Sequence, residues 1–175
     1  MKKIIPLALL FCGLTSCSTP EDGKTSTPVT TASTAAAKVS PTVDPNAPIV
    51  YLEGFYPQEK TGDLSWRWME ETGHIRLKNI GKDAALKLKG AVQQDFFKEP
   101  PTLTVTLNGE QLDSIVTTKA VLEKSYTIPA AKQKGDYSEL KLSSNKTFIP
   151  KEVEKGSNDQ RKLSFSLREL SWEAK

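Results

Sequence analysis

Residues 49–175 alternate between apolar and polar side chains with the period of two that is typical of β-strands. The alternation is clearest at residues 74–78 and 85–89, where apolar side chains stand at every second or nearly every second position. We predict nine strands in this region, at residues 49–52, 65–69, 74–78, 85–89, 103–107, 111–117, 122–128, 139–142 and 162–172.

Turn residues separate several of these segments. Asn108-Gly109 lies between two alternating runs and predicts a hairpin, because both residues of such a tight turn need a positive φ. Thr72-Gly73 predicts a second turn before residues 74–78. The inward positions of the last strand change from odd to even numbers around Arg168-Glu169, which predicts a β-bulge or a change of buried face.

A helix is the alternative interpretation only for residues 110–124, where four apolar residues are loosely spaced. The β-branched run at residues 115–118 favours a strand instead. Nine short strands in about 127 residues, with no long helix, predict an all-β domain. We expect two antiparallel sheets packed face to face in a jelly-roll-like sandwich.

The first sixteen residues have the pattern of a signal peptide. Lys2 and Lys3 precede an apolar run of about eleven residues, which is too short for a transmembrane helix of roughly twenty. Leu14-Thr15-Ser16-Cys17 resembles a bacterial lipobox, in which the cysteine receives a diacylglyceryl group and becomes the new N-terminus. The alternative is an ordinary secreted protein with an incidental cysteine.

Lipidation at Cys17 would place the protein at the membrane. Two or more acyl chains give a stable anchor, so we expect a lipid-anchored protein of the bacterial cell envelope. Ser18 follows the cysteine where aspartate would favour the inner membrane. In a double-membraned source we therefore expect the outer membrane, with the domain facing the periplasm or the exterior. The modified Cys17 would leave no thiol for a disulfide, a metal or catalysis.

Residues 17–48 predict a disordered tether that begins with the lipidated residue. About two-thirds of residues 18–48 are Ser, Thr, Ala or Pro, and none is aromatic. Such a segment cannot bury enough apolar area to offset its ordering entropy. The tether is either a bare spacer or a glycosylated stalk.

The charge excludes one class of partner. The full chain has a formal net charge of +3, but without Lys2 and Lys3 it has 22 basic and 21 acidic residues. A nucleic-acid-binding domain usually carries a clustered basic face, and this sequence has none. A hydrophobic content of 37% and a charged content of 26% also exclude a polytopic membrane protein.

The motifs give little support to an enzyme. His74 is the sole histidine, and the sequence has no nucleophile elbow, P-loop or dinucleotide-binding turn. His74 is either a general base or an exposed residue at the start of a strand. A glycosidase carboxylate pair drawn from Glu53, Glu59, Glu70 and Glu71 is the remaining catalytic alternative. We predict a non-catalytic protein with no cofactor.

Aromatic residues next to polar ones indicate a binding function. Trp66 and Trp68 share one face of a strand, because side chains alternate along it, and Arg67 and Met69 face the other way. Sugars bind flat aromatic faces while polar groups hold their hydroxyls. The alternative is that the tryptophans lie in the sandwich core. We expect Trp172, near the C-terminal edge, to be partly exposed. The candidate ligand-binding residues are Tyr56, Glu59, Trp66, Arg67, Trp68, Asp159, Arg161 and Trp172.

Asp159 and Arg161 form a second candidate pair. Arg161 either clamps a carboxylate or phosphate of a ligand or pairs with Asp159 to hold a loop. Loop oxygens at Asp136, Asn158 and Asp159 make a structural calcium conceivable, but they are scattered, and we predict no metal site.

Several short motifs occur together in a recognisable order. They are Gly54-Phe55-Tyr56, Trp66-Arg67-Trp68, Leu107-Asn108-Gly109, Phe148-Ile149-Pro150 and the segment from Asp159 to Leu163, before a last strand with Trp172. This order resembles the β-sandwich accessory domain of bacterial polyprenol-dependent membrane glycosyltransferases, which is similar in shape to jelly-roll carbohydrate-binding modules. The resemblance implies a non-catalytic envelope protein that recognises a glycan or a glycan-processing partner. The alternative is a structural or protein-interaction lipoprotein without a sugar ligand.

Overall fold

The computed structural model describes Asp44 and residues 46–175. The predicted signal peptide, Cys17 and most of the predicted tether lie outside the described residues. Ten strands form the described part: β1 Ile49–Tyr51, β2 Phe55–Thr61, β3 Leu64–Met69, β4 Thr72–Lys78, β5 Ala84–Val92, β6 Thr102–Leu107, β7 Glu110–Val116, β8 Val121–Ile128, β9 Tyr137–Ser144 and β10 Phe165–Ala174. Two short 3₁₀ turns, Gln94–Phe96 and Ala130–Lys132, and one helix, α1 Pro150–Val153, complete it.

The strands form two antiparallel five-stranded sheets. The first sheet has the order β1-β4-β9-β6-β7, and the second has the order β2-β3-β10-β5-β8. Buried side chains of both sheets meet in one main core, which holds Ile75 and Leu140 of the first sheet together with Leu88 and Phe165 of the second. The predicted all-β sandwich is therefore confirmed.

Alternation places the core side chains. On β4, Ile75 and Leu77 are buried while His74 and Arg76 are more exposed, as the period of two predicts. On β5, Leu86 and Leu88 are likewise buried. The strand over residues 110–116, rather than the helical alternative, is also confirmed.

The sequence pattern missed one strand and misplaced one turn. β2 contains Pro57 and several exposed polar residues, so its apolar alternation is weak; it is an edge strand, where proline is tolerated. The Thr72-Gly73 turn is wrong, because both residues lie in β4. A Cβ on Gly73 would stand 2.5 Å from the Phe55 ring, so this glycine serves a close approach rather than a turn.

The Asn108-Gly109 hairpin and the bulge in the last strand are confirmed. Asn108 and Gly109 have φ values of 50° and 82° between β6 and β7. In β10 the pairing with β5 shifts register between Leu167 and Glu169. This extra residue lets Phe165 and Leu167 before it, and Trp172 after it, all lie in the main core.

Within the described part of the chain, no helix has both the length and the apolar composition needed to cross a membrane.

Candidate functional site

The outer face of the second sheet carries Trp66 and Trp68 of β3. Trp68 pairs with Ser166 of β10, and Trp66 pairs with Glu59 of β2, so Glu59 shares their face. Met69, one position further, is fully buried in the main core. The two tryptophans therefore point away from the core that the two sheets enclose.

The segment between β9 and β10 covers part of this outer face. Phe148 and Leu163 form an isolated antiparallel bridge with two backbone hydrogen bonds of 2.8 Å. Their side chains join a second apolar group, which we name the outer aromatic cluster. It consists of Tyr56, Trp68, Phe96, Phe97, Phe148 and Leu163.

Phe148 lies at the centre of the outer aromatic cluster. Its ring centroid is 5.0 Å from that of Phe96, 5.8 Å from that of Trp68 and 5.9 Å from that of Phe97. The contacts with Trp68 and Phe97 are edge-on, with interplanar angles of 81° and 80°. Such edge-to-face contacts fix the orientation of each ring.

An open cleft of about 330 Å³ lies beside this cluster; we name it the rim cleft. Its lining consists of Glu59, Trp68, Gln93, Phe96, Phe148, Pro150, Glu154, Ser157, Asp159, Arg161 and Leu163. The cleft thus has an aromatic floor and a polar rim. It brings together four of the predicted site residues: Glu59, Trp68, Asp159 and Arg161. Tyr56 lies next to it, with its ring 5.1 Å from the Arg161 guanidinium carbon.

Arg161 is held between two carboxylates. Its Nε donates to both Asp159 oxygens at 3.1 and 3.0 Å, and its Nη2 donates to Asp159 Oδ2 at 2.7 Å. Nη1 donates to Glu59 Oε1 at 2.6 Å. The Arg161 backbone N–H also donates to Asp159 Oδ1. The guanidinium thus links the loop before β10 to the edge strand β2, which is the loop-holding role rather than a free clamp for a ligand anion.

This arrangement keeps the ion pairs charged. Hydrogen bonds from the Arg161 guanidinium lower the pKa of Asp159 below its usual value, and the same bonds raise the pKa of Arg161. Burial, followed by the nearby Glu70 carboxylate, raises the pKa of Tyr56. The Tyr56 hydroxyl donates to Glu70 Oε1 at 3.3 Å. At neutral pH the rim therefore carries charged Asp159 and Arg161 beside an un-ionised tyrosine.

Trp66 and Arg67 lie in a different place. They line a separate groove of about 280 Å³ with Gln58, Arg168 and other residues. Arg67 donates to Gln58 Oε1 at 3.4 Å, and its guanidinium carbon lies 4.8 Å from the Tyr51 ring centroid. Within the described part of the chain, the buried Trp66 Nε1 has no hydrogen-bond partner.

The expected exposure of Trp172 is wrong. Trp172 is only 5% exposed and belongs to the main core, and its Nε1 donates to the Lys78 carbonyl at 2.7 Å. The residue is close to the end of the chain, but β10 is the central strand of its sheet. A side chain on the inner face of a central strand is covered on all sides, so this indole offers no free face for stacking.

The catalytic alternatives find little geometric support. His74 lies on β4 of the other sheet, with Nδ1 2.6 Å from Glu139 Oε1 and Nε2 3.9 Å from Glu53 Oε1. Of the four glutamates considered for a glycosidase, Glu59 alone lines the rim cleft, and Arg161 occupies one of its oxygens. Among the described residues, no group of three or more His, Cys, Asp or Glu side chains is placed to hold a metal ion.

Sequence reasoning missed part of the rim cleft. Phe96, Gln93 and Glu154 line it without having been singled out, and Phe148 had been noted only as part of a motif. The adjacent Phe96 and Phe97, in the segment after β5, could have indicated the cluster. Two neighbouring aromatic residues outside a strand are expected to pack against other apolar side chains. Their distance from Phe148 in sequence conceals the contact.

The chain was compared with known proteins. No family model and no curated protein matches it. Among solved structures, a family 35 carbohydrate-binding module from Clostridium thermocellum is similar over 74% of this chain and 100% of that chain, at 12% identity and a TM-score of 0.40. A family 35 module from an environmental isolate is similar over 71% of this chain and 90% of that one, at 10% identity and a TM-score of 0.38. A third, the CBM35 from Paenibacillus barcinonensis, is similar over 74% of this chain and 91% of that one, at 10% identity and a TM-score of 0.34.

Proposed function

We propose that this protein is a lipid-anchored, non-catalytic module of the bacterial cell envelope that binds a glycan in the rim cleft. The observation that carries the glycan part is the composition of the cleft. Trp68, Phe96 and Phe148 supply apolar ring surface, and Gln93 and Glu59 supply polar groups at the same opening. A few polar groups placed around aromatic surface are what recognition of a small hydroxylated ligand requires.

The anchor in this proposal rests on the sequence. The lipobox at residues 14–17 follows a short positive region and an apolar run, and these three features have the order of a lipoprotein signal. Ser18 favours the outer membrane in a double-membraned source. A long tether at residues 17–48 would let the domain reach ligands away from the membrane surface.

Binding of a panel of oligosaccharides by the full mature chain in a nonionic detergent tests the glycan part. We expect Gln93→Ala, which removes an exposed polar group of the rim cleft, to weaken binding by about fivefold or more without changing the melting temperature. Gln111→Ala is the matched control, because Gln111 is an exposed residue of β7 on the other sheet. Equal binding by both variants and the parent protein would remove the rim cleft from the proposal.

Trp68→Ala and Trp66→Ala form a second matched pair on the same strand. Trp68 lines the rim cleft and Trp66 lines the separate groove. We expect Trp68→Ala to abolish sugar binding and Trp66→Ala to retain it. If Trp68→Ala unfolds the domain, Trp68→Phe keeps an aromatic floor and should keep measurable binding.

The anchor has its own test. Native protein extracted from membranes should carry diacylglyceryl and acyl groups on Cys17 by mass spectrometry, and Cys17→Ala should move from the detergent phase to the aqueous phase. Unchanged membrane fractionation of Cys17→Ala would contradict the lipid anchor.

The second candidate function is protein binding at a sheet edge. Val116 of β7 and Val121 of β8 are 57% and 45% exposed, and both strands are edges of their sheets. A partner strand can pair with such an edge. If this function holds, Val116→Lys should abolish binding to an envelope protein and leave sugar binding unchanged. If the glycan proposal alone holds, Val116→Lys should change neither protein binding nor sugar binding.

A further inference from the structure

The charges that line the rim cleft are unbalanced. Glu59, Asp159 and Glu154 contribute three carboxylates, and Arg161 is the sole cation of the lining. Asp159 and Arg161 keep their charges because hydrogen bonding lowers the pKa of the acid and raises that of the base. The lining therefore has a net formal charge of −2 at neutral pH.

The sole cation is already engaged on both sides. Arg161 uses Nε, Nη1 and Nη2 toward Asp159 and Glu59, with donor–acceptor distances between 2.6 and 3.1 Å. Its side chain is only 20% exposed, and Tyr56 lies against it. A carboxylate or phosphate that enters the cleft would therefore meet a guanidinium whose positive charge is already paired with two internal carboxylates.

One exposed carboxylate also lines the rim cleft. Glu154 directly follows helix α1 and is exposed, and no ion pair between it and a described residue is found. An exposed carboxylate at the opening acts on any charged ligand that approaches, although salt screens the interaction.

We infer that the rim cleft selects glycans without acidic groups and prefers sugars that carry a free amino group. This inference rests on the proposed function and names the ligand class of the same cleft. The negative lining repels uronic acids and sugar phosphates, attracts an ammonium group, and is indifferent to neutral hydroxyls. The expected order of affinity is amino sugar, then neutral sugar, then acidic sugar.

Three oligosaccharides of equal length test this order by titration calorimetry. They are a glucosamine oligomer, its N-acetylated counterpart and a glucuronic acid oligomer, each titrated into the full mature chain in a nonionic detergent at pH 6. At low salt we expect roughly tenfold differences in affinity between neighbours in the order, because one unit of charge on the sugar unit beside a lining of net charge −2 changes affinity by about that factor. Both differences should shrink at 0.3 M salt, roughly a threefold Debye-length reduction from a 0.03 M buffer.

Matched variants assign the preference to the cleft. Glu154→Gln should reduce the ratio of the affinities for the glucosamine and glucuronic acid oligomers by about threefold, because it removes one negative charge from the rim cleft. Glu154→Lys should reduce this ratio further, because it reverses that charge. Glu152→Gln is the control, since Glu152 is an exposed residue of helix α1, two positions before Glu154, and does not line the cleft. An equal effect of Glu154→Gln and Glu152→Gln would overturn the inference.

The outcomes separate the inference from the function beneath it. If none of the three sugars and no member of the wider panel binds, the proposed function fails. If acidic sugars bind as tightly as neutral ones or more tightly, glycan binding stands and the selectivity is overturned. The order amino, neutral, acidic with a Glu154-dependent difference supports both.

Discussion

The main core and the outer aromatic cluster are built from similar side chains but closed in different ways. Aliphatic residues dominate the main core, and two hydrogen-bonded sheets cover it on both sides. The outer aromatic cluster has one sheet below it and an irregular segment above it, held by the Phe148–Leu163 bridge and the Arg161 ion pairs. A sheet face closes a core completely, whereas a loop leaves an open margin, and at that margin the rim cleft forms.

A matched phenylalanine pair gives the largest expected effect. Phe165→Ala, at 1% exposure in the main core, should lower the free energy of unfolding by about 3–5 kcal/mol, because the two sheets cannot collapse into the space. Phe148→Ala, at 6% exposure, should cost less, about 1–3 kcal/mol, because a loop can partly close over the missing ring. Urea unfolding of the full chain measures both. An equal or larger loss for Phe148→Ala would show that the cluster is part of one continuous core.

Trp172→Phe tests the main core with a smaller change in side-chain volume than Phe165→Ala. The variant keeps aromatic volume but removes the Nε1 donor that binds the Lys78 carbonyl. Loss of a buried hydrogen bond predicts a decrease of about 1–3 kcal/mol in unfolding free energy. Trp68→Phe is the control, and we expect less than half of that loss, since the Trp68 indole donates no hydrogen bond to another described residue. A neutral Trp172→Phe would mean that the Lys78 carbonyl finds another donor.

Acid should weaken the outer aromatic cluster before the main core. The folded-state pKa of Asp159 is below its unfolded value, so its contribution is complete above about pH 4 and is lost as pH falls through the folded pKa. Because the Asp159 carboxylate is partly exposed, we expect the effect to be modest. The free energy needed to open the segment between β9 and β10 should fall by about 1 kcal/mol on acidification. Exchange of the Phe148 and Leu163 amide hydrogens between pH 5 and pH 2, corrected for intrinsic rates, measures the change.

Asp159→Asn is the control for this titration. The amide cannot titrate in this range, so the variant should show faster exchange at pH 5 and a smaller change on acidification. Identical pH profiles for the variant and the parent would assign the acid sensitivity to another carboxylate.

The smallest expected effect is a difference in the acrylamide quenching of tryptophan fluorescence between the two regions. Variants that retain one tryptophan each, with phenylalanine at the other two positions, should differ in acrylamide quenching. Trp172 is 5% exposed, so its quenching constant should be several times smaller than that of Trp68 at the open margin. Equal constants for Trp68 and Trp172 would mean that the rim cleft is closed in solution.

Local patterns predicted most of the fold. Alternation located nine of the ten strands, the Asn108-Gly109 pair located a hairpin, and the parity change located the bulge near Arg168. These signals depend on neighbouring residues alone. β2 was not predicted because an edge strand with Pro57 needs little apolar alternation. Gly73 was wrongly predicted to form a turn, because glycine is needed there for close packing against the Phe55 ring, which is distant in sequence.

The candidate site was less predictable, because it is formed by contacts between residues that are far apart in the sequence. The spacing of Trp66 and Trp68 gave their shared face, but which of them meets Phe148 depends on how the segment between β9 and β10 returns. The contact between Arg161 and Glu59 spans 102 positions of the chain. The burial of Trp172 depends on the sheet order, which places the last strand between β3 and β5.

That central position of β10 affects the order of events during synthesis. Its two neighbours, β3 and β5, are translated long before it, yet they cannot join into one sheet until residues 165–174 insert between them. A nascent chain made from its N-terminus therefore carries an unfinished second sheet until residues 165–174 are released. Under the proposed export of the unfolded chain across a membrane, this order would delay stable folding of the domain until residues 165–174 have crossed.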